Sequence, residues 1–203
     1  MPKARPRKSP LSRDIIVAAA MDMLNQDGID ALSMRKLGAL LGVEAMTLYH
    51  HVAGKEELLD LIVERVALGA AASGMQEGPW RARLEAFARD IYASLTANPG
   101  VAALAATRPV RSEAALARFF AAIEGLVSAG FSPEQAYFTL NALALMASGH
   151  ALAALDGAAG PDAAAYLQRL EAVFPDAAAL HARHEKLFEF ALTTFLNGLP
   201  PGN

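Results

Sequence analysis

Between Leu11 and Val66 apolar positions recur at helical spacing in four short runs separated by turn residues. Ser12 caps the first run, with Ile15, Ile16, Ala19, Met23 and Leu24 on one face and Gly28 closing it. In SMRKLGALLGVEAMTLYHH, residues 33–51, Ser33 is a good N-cap and Leu37, Leu40 and Leu41 form one apolar face. Gly42 stands where a helix ends in a left-handed residue. Val43 and Glu44 then open a second helix in which Ala45, Leu48 and Val52 point inward. Met46, Thr47 and His50 point the other way, Glu44, Tyr49 and His51 flank them, and Arg35 faces away from the leucines. Two short helices on a glycine turn form the arrangement that lays its second helix in a DNA groove. A cation, a hydroxyl, a phenol and imidazoles suit phosphate and base-edge contacts. The same pattern also fits a helical hairpin with a solvated polar face. Gly54-Lys55-Glu56-Glu57 starts a fourth helix, whose first-turn acids suit the helix dipole.

From Gly69 onward the pattern predicts a second, all-helical unit. GAAASGMQEGP, residues 69–79, lacks a cap pattern and separates the fourth helix from the fifth. Trp80 to Thr96 is amphipathic, with Leu84, Phe87, Ala88, Ile91 and Leu95 on a stripe, and Asn98-Pro99-Gly100 ends it. Val101 to Ala106 is a short apolar helix stopped by Thr107-Arg108-Pro109. Ser112 to Ala129 is another, closed by Gly130. Ser132-Pro133-Glu134 caps a helix running to about Leu155, with proline at its first position. Residues 156–162 read as a loop, 163–173 as a short helix, and roughly Ala177 to Leu196 as a long final helix.

Composition sharpens this picture. Apolar residues make up 54% and aromatics 7% of 203 residues, a helical balance without strand-like alternation and enough chain for a sizeable core. With no cysteine there is neither a disulfide framework nor a thiolate ligand or nucleophile. A net charge of −3 argues against general, charge-driven affinity for nucleic acid, yet four cations and three prolines fill residues 1–10. That stretch is expected to be a disordered basic arm, either lying along phosphates or serving as a solubilising tail. No apolar h-region accompanies it and no apolar run reaches the length of a membrane span, so the expected location is cytoplasmic.

The helix-ending Gly28, Leu32-Ser33-x-Arg35-x-Leu37, Gly42-Val43, Thr47-Leu48-Tyr49-x-His51-Val52 and Lys55-x-x-Leu58-Leu59 occur in register. Over Leu11–Val66 this combination resembles the N-terminal domain of the TetR family of repressors. The resemblance implies that Arg35, Glu44, Met46, Thr47, Tyr49, His50, His51 and Lys55 meet double-stranded DNA at an operator.

ATRPV (106–110), a helix ending in Gly130-Phe131-Ser132 and a long apolar helix resemble the C-terminal domain of the tetracycline-repressor branch. The resemblance implies a small-molecule cavity and a dimer interface made by the helices near 132–155 and 177–196. Both are apolar on more than one face, so each must be buried from two sides, as in an intermolecular four-helix bundle. Phe188 and Phe195 are the expected interface residues. Tetracycline repressors hold a magnesium–drug chelate partly through a histidine three residues before Thr-Arg-Pro, and here that position is Leu104. The end of the fourth helix, where they offer a further histidine, reads Ala70-Ala71-Ala72. No cofactor or metal is therefore expected, and the effector should be a largely apolar molecule. Its expected apolar lining comprises Trp80, Leu84, Phe87, Ile91 and Leu104 from the first half of the unit. Phe119, Phe138, Leu145 and Met146 complete it, with Arg108, Asn141 and His150 as polar contacts.

Other chemistry is thin. His181 and His184 stand at i, i+3 without a third ligand in view, and Asp156 alone is a weak metal signal. No serine has a nucleophile-elbow glycine pattern, and no glycine-rich loop follows a strand, so an enzyme is not expected. The expected fold class is all-α: an N-terminal three-helix helix-turn-helix domain at 11–68, after the arm at 1–10, then a helical ligand-binding and dimerisation domain at 69–203. The expected function is a homodimeric, ligand-responsive repressor. The alternative is a ligand carrier or interaction protein that keeps the fold without operator binding.

Overall fold

A computed structural model describes residues 11–70, 78–108, 110, 112–156, 168, 169, 171–174 and 183–199. Among these residues the regular structure is helical, and the chain forms two compact units dividing between Ile62 and Val63. The basic arm at 1–10 lies outside the described residues.

In the first unit α1 spans Arg13–Asp27, capped by Ser12, whose Oγ accepts from the Ile15 N–H at 3.3 Å. Gly28 ends it at φ 77°. Its inward stripe is Ile16, Val17, Ala20, Met23 and Leu24, whereas Ile15 and Ala19 are only half-buried. A 3-10 turn, Ile29–Ala31, leads to α2, Met34–Leu41, where the Ser33 Oγ accepts from the Lys36 N–H at 3.2 Å. Gly42 closes α2 in the left-handed region at φ 70°, ψ 34°. Leu37 and Gly38 are buried and Leu41 is half-buried, so the inner face is centred among them and Leu40 projects into solvent, against expectation. At about 100° per residue Leu40 lies roughly a quarter-turn off that centre.

α3 is short, Ala45–Leu48. The expected helix to Val52 gives way to a turn at Tyr49–His51, although the Val52 N–H still donates to the Leu48 carbonyl at 3.0 Å. Leu48 and Val52 are fully buried, and Ala45 is half-buried. α4, Lys55–Ala70, opens with the Glu57 carboxylate accepting from the Ala53 N–H, buries Leu58, Leu59 and Ile62, and continues into the second unit. It carries Gly69 and Ala70 in helix, where the sequence pattern predicted a separating segment; residues 71–77 lie outside the described residues.

The second unit holds α5 (Trp80–Thr96), α6 (Pro99–Thr107), α7 (Glu113–Ser128), α8 (Pro133–Asp156) and α9 (His184–Asn197). Proline is the first residue of α6, so Asn98-Pro99 starts that helix as well as ending α5. Ser132 and Gln135 form a reciprocal capping box at α8, with bonds of 2.9 and 3.1 Å. α9 begins at His184, with Arg183 as a non-helical N-cap, so the predicted start at Ala177 fails. Residues 177–182 lie outside the described set, as does most of the predicted 163–173 helix. α8 packs against α5, α6, α7 and α9 around a core including Leu84, Leu126, Leu140, Leu143, Phe188 and Leu192. Contrary to the sequence expectation, Pro133–Leu155 is long and apolar enough to cross a membrane. No continuous apolar run reveals this because Thr139, Asn141, Ser148 and His150 interrupt it. Packing against four helices covers only part of it, with 28% of the segment buried.

Candidate nucleic-acid interface and ligand cavity

The α2–α3 turn depends on a close approach that only glycine permits. A Cβ on Gly38 would stand 2.9 Å from the Val43 carbonyl oxygen and 3.2 Å from the Ala45 nitrogen. The Val43 N–H donates to the Gly38 carbonyl at 2.9 Å, drawing α3 against α2. This pairing presents a polar set. Arg35, Glu44, Tyr49 and His50 are exposed, Met46 is 68% exposed, and Thr47, His51 and Lys55 are half-buried.

Two of these residues are held by contacts that sequence reasoning missed. The Lys55 ammonium donates to the Ile29 carbonyl at 3.4 Å, which orients it and leaves further N–H donors. Arg13 Nε donates to the His51 carbonyl at 3.1 Å while its Nη2 lies 3.5 Å from Glu57 Oε1, so α1 buttresses the end of the α3 turn. Both Arg13 and Glu57 are well exposed, so that pair contributes less to stability than to position.

The second unit holds a partly open cavity of about 370 Å³ lined by α4, α5, α6, α7 and α8. Of the predicted contacts, Phe87, Ile91, Phe119 and Asn141 line it. Val66, Leu95, Leu116, Arg118, Ala144 and Ser148 line it as well and were missed. Arg118 is the one charged side chain among the described walls, and its Nη1 donates to the Leu68 carbonyl in the last turn of α4 at 2.7 Å. Its sequence signal is a lone cation within the otherwise apolar AALARFFAA.

The remaining predicted contacts lie elsewhere. Trp80 packs edge-on against Phe131, ring centroids 5.1 Å apart, and Leu84 and Met146 belong to the α5–α8 core. Leu104 and Arg108 are half-buried away from the cavity walls. Phe138 and Leu145 are 58% and 72% exposed because α8 turns that side outward. His150 meets the ring of Phe188 at 5.9 Å; burial, and secondarily the charge of His184, holds its pKa below the ordinary 6.5.

Phe188 also fails as an interface residue, being 1% exposed and stacked on Tyr92 at 4.4 Å, while Phe195 packs against the same core. On α9 the outward apolar residues are Leu187 and Phe190. Arg89 and Glu189 join α5 to α9 through two bonds of 2.8 and 2.9 Å, and that pairing lowers the Glu189 pKa. His181 and the Asp156 side chain lie outside the described residues, among which no group of three metal-ligating side chains occurs.

Residues 16–62 match the family described as bacterial regulatory proteins, tetR family, and residues 74–201 match the tetracyclin repressor-like C-terminal domain. The chain belongs to the TetR family. An HTH-type transcriptional regulator of Saccharopolyspora erythraea is 40% identical over 132 residues, covering 64% of this chain and 56% of that protein. The HTH-type transcriptional repressor DrrR1 of Streptomyces coeruleorubidus is 37% identical over 116 residues, 55% of this chain and 43% of the relative. The match therefore spans about half the length of these two curated relatives. Among solved TetR structures, the Streptomyces coelicolor protein ActR in complex with (S)-DNPA superposes with a TM-score of 0.73 at 26% identity. That match covers 94% of this chain and 97% of ActR.

Proposed function

We propose that this TetR-family protein is a ligand-responsive transcriptional repressor: a cytoplasmic, non-enzymatic homodimer that binds a palindromic operator and leaves it when a small molecule fills the cavity. The observation that carries the reading is a pair of features on one chain. One is the exposed polar set of α2 and α3, held by the Gly38 approach; the other is the partly open cavity walled in part by α4. In this reading Arg35 reads a guanine edge and Tyr49 and Lys55 contact phosphates, Lys55 from the N-terminus of α4, where the dipole favours anions. Glu44, Met46, Thr47, His50 and His51 complete the surface.

The effector site consists of the cavity walls, with Phe87, Ile91, Phe119 and Asn141 as the sequence pattern predicted and Arg118 added. Leu104, where tetracycline repressors place a histidine, supports an effector that needs no magnesium. α4 contributes residues to the DNA-binding unit and Val63, Val66 and Ala67 to the cavity, so a ligand pressing on that end acts on one continuous helix. A ligand displaces DNA only if it binds the released conformer more tightly. The dimer face lies on the outward sides of α8 and α9, with Phe138, Leu145, Leu187 and Phe190 replacing Phe188 and Phe195. Such apolar side chains at the surface mark an interaction site.

Selection from a random DNA pool, then anisotropy titration of the enriched sequence, tests the reading. Enrichment of a two-fold symmetric site bound at least about a thousandfold more tightly than random DNA supports it. No enrichment by the intact protein overturns it.

A further inference from the structure

We infer that the cavity ligand is an amphipathic organic anion, an apolar ring system carrying one acidic group that pairs with Arg118. The inference deepens the proposed function and rests on its reading of the cavity as the effector site. Apart from Arg118, the described walls are apolar except for Asn141 and Ser148, and no described wall residue is acidic. Asn141 already donates to the Tyr137 carbonyl at 2.8 Å.

One Arg118 nitrogen is committed to the Leu68 carbonyl, and that bond fixes the guanidinium's position through the last turn of α4. A guanidinium has five N–H donors, so several remain for a ligand. While the cavity is empty, water can satisfy them. A neutral apolar ligand that fills the cavity expels that water and strands the donors of a charged group, which is costly. An acid oriented towards Arg118 replaces the water with charge-assisted bonds in surroundings less polar than bulk water. The anion gains equally, since its own burial would be prohibitive without a cation. Shape and charge therefore select the same class: a flat hydrophobic body for Phe87, Ile91 and Phe119, and one negative group at the α7 wall.

Anilinonaphthalenesulfonate and phenylnaphthylamine share one ring frame and differ by the sulfonate, and both fluoresce on transfer to apolar surroundings. Each is titrated into the full chain and into Arg118→Met, Arg118→Gln and Ala122→Phe, where Ala122 lines the cavity and phenylalanine would fill it. The intact protein should bind the sulfonate about ten- to a hundredfold more tightly than the neutral probe, the worth of charge-assisted hydrogen bonds. Arg118→Met should bring the two within about threefold. Arg118→Gln, which keeps a donor for the Leu68 carbonyl, should do the same if charge rather than local structure is responsible. Ala122→Phe should weaken both probes, with far-UV circular dichroism confirming that each variant is folded. Ala144→Phe, from the α8 wall, substitutes for any filler that fails to fold.

Equal affinities in the intact protein, or a preference that survives both Arg118 variants, overturn the inference. If both probes are blocked by the fillers without an anion preference, this inference falls while the cavity stands as the ligand site. If neither probe responds to the fillers, the cavity reading falls with it.

Discussion

Replacing Gly38 with alanine sets two effects of known sign against each other. In a helix interior alanine is more favourable than glycine by about 1 kcal/mol, so an unencumbered substitution would stabilise the protein. At Gly38 the new methyl would meet backbone atoms of the turn, the Val43 carbonyl at 2.9 Å and the Ala45 nitrogen at 3.2 Å. Neither can swing aside as a side-chain tip can, and the 2.9 Å bond from the Val43 N–H holds the same segment close. Ordinary contact would require α3 to retreat by about half an ångström, and overpacking of this kind costs about 1–3 kcal/mol. Set against the gain of about 1 kcal/mol in propensity, the net is a loss of up to about 2 kcal/mol. In a protein of this size that lowers Tm by about 2–4 °C per kcal/mol. Gly69→Ala is the matched control, since nothing lies within 4 Å of its added methyl. Thermal unfolding of the two variants, tracked by far-UV circular dichroism, should move in opposite directions. Operator affinity should fall for Gly38→Ala alone, because α3 carries the outward residues. A Gly38→Ala protein at least as stable as the unmodified one would refute the close-approach argument.

Arg35→Ala should cost about 1–3 kcal/mol on the operator and relax its sequence preference, whereas Lys55→Ala should weaken operator and random DNA alike and reduce the salt slope by about 0.9; anisotropy titrations across salt concentrations separate the two. Phe190→Asp should yield folded monomers in sedimentation, because the side chain is 70% exposed in the protomer, while Phe188→Asp should unfold the second unit by placing an unpaired charge in its core. The lowered His150 pKa means the folded state resists protonation there, so its contribution is complete above pH 6.5 and is lost as pH falls through the folded value. His150→Gln should flatten that part of the stability profile, measured by urea unfolding at pH 5 to 8.

Features settled within a few residues were legible in the chain alone. Ser12, Ser33 and Ser132 cap the helices they were expected to cap, and Gly28 and Gly42 end theirs, because a cap involves only neighbouring N–H groups and a local backbone angle. The bounds of α5 come equally from its own stripe and the Asn98-Pro99 stop. The register of motifs from Gly28 to Leu59 was legible too, and it is what makes the family recognisable without a structure. Choices among several apolar stripes were not legible. Leu40 projects outward while Gly38 is buried because the approach of α3, not the leucine count, decides which face of α2 turns inward. Phe188 belongs to the protomer core and Phe190 to the surface because α9 meets α5 and α8 on one side only, although both are equally apolar in sequence. Arg118 and the missed walls, as much as the displaced Trp80 and Leu145, depend on five helices converging on one void. Periodicity within one helix states which residues share a face; only the neighbouring helices decide which face they cover.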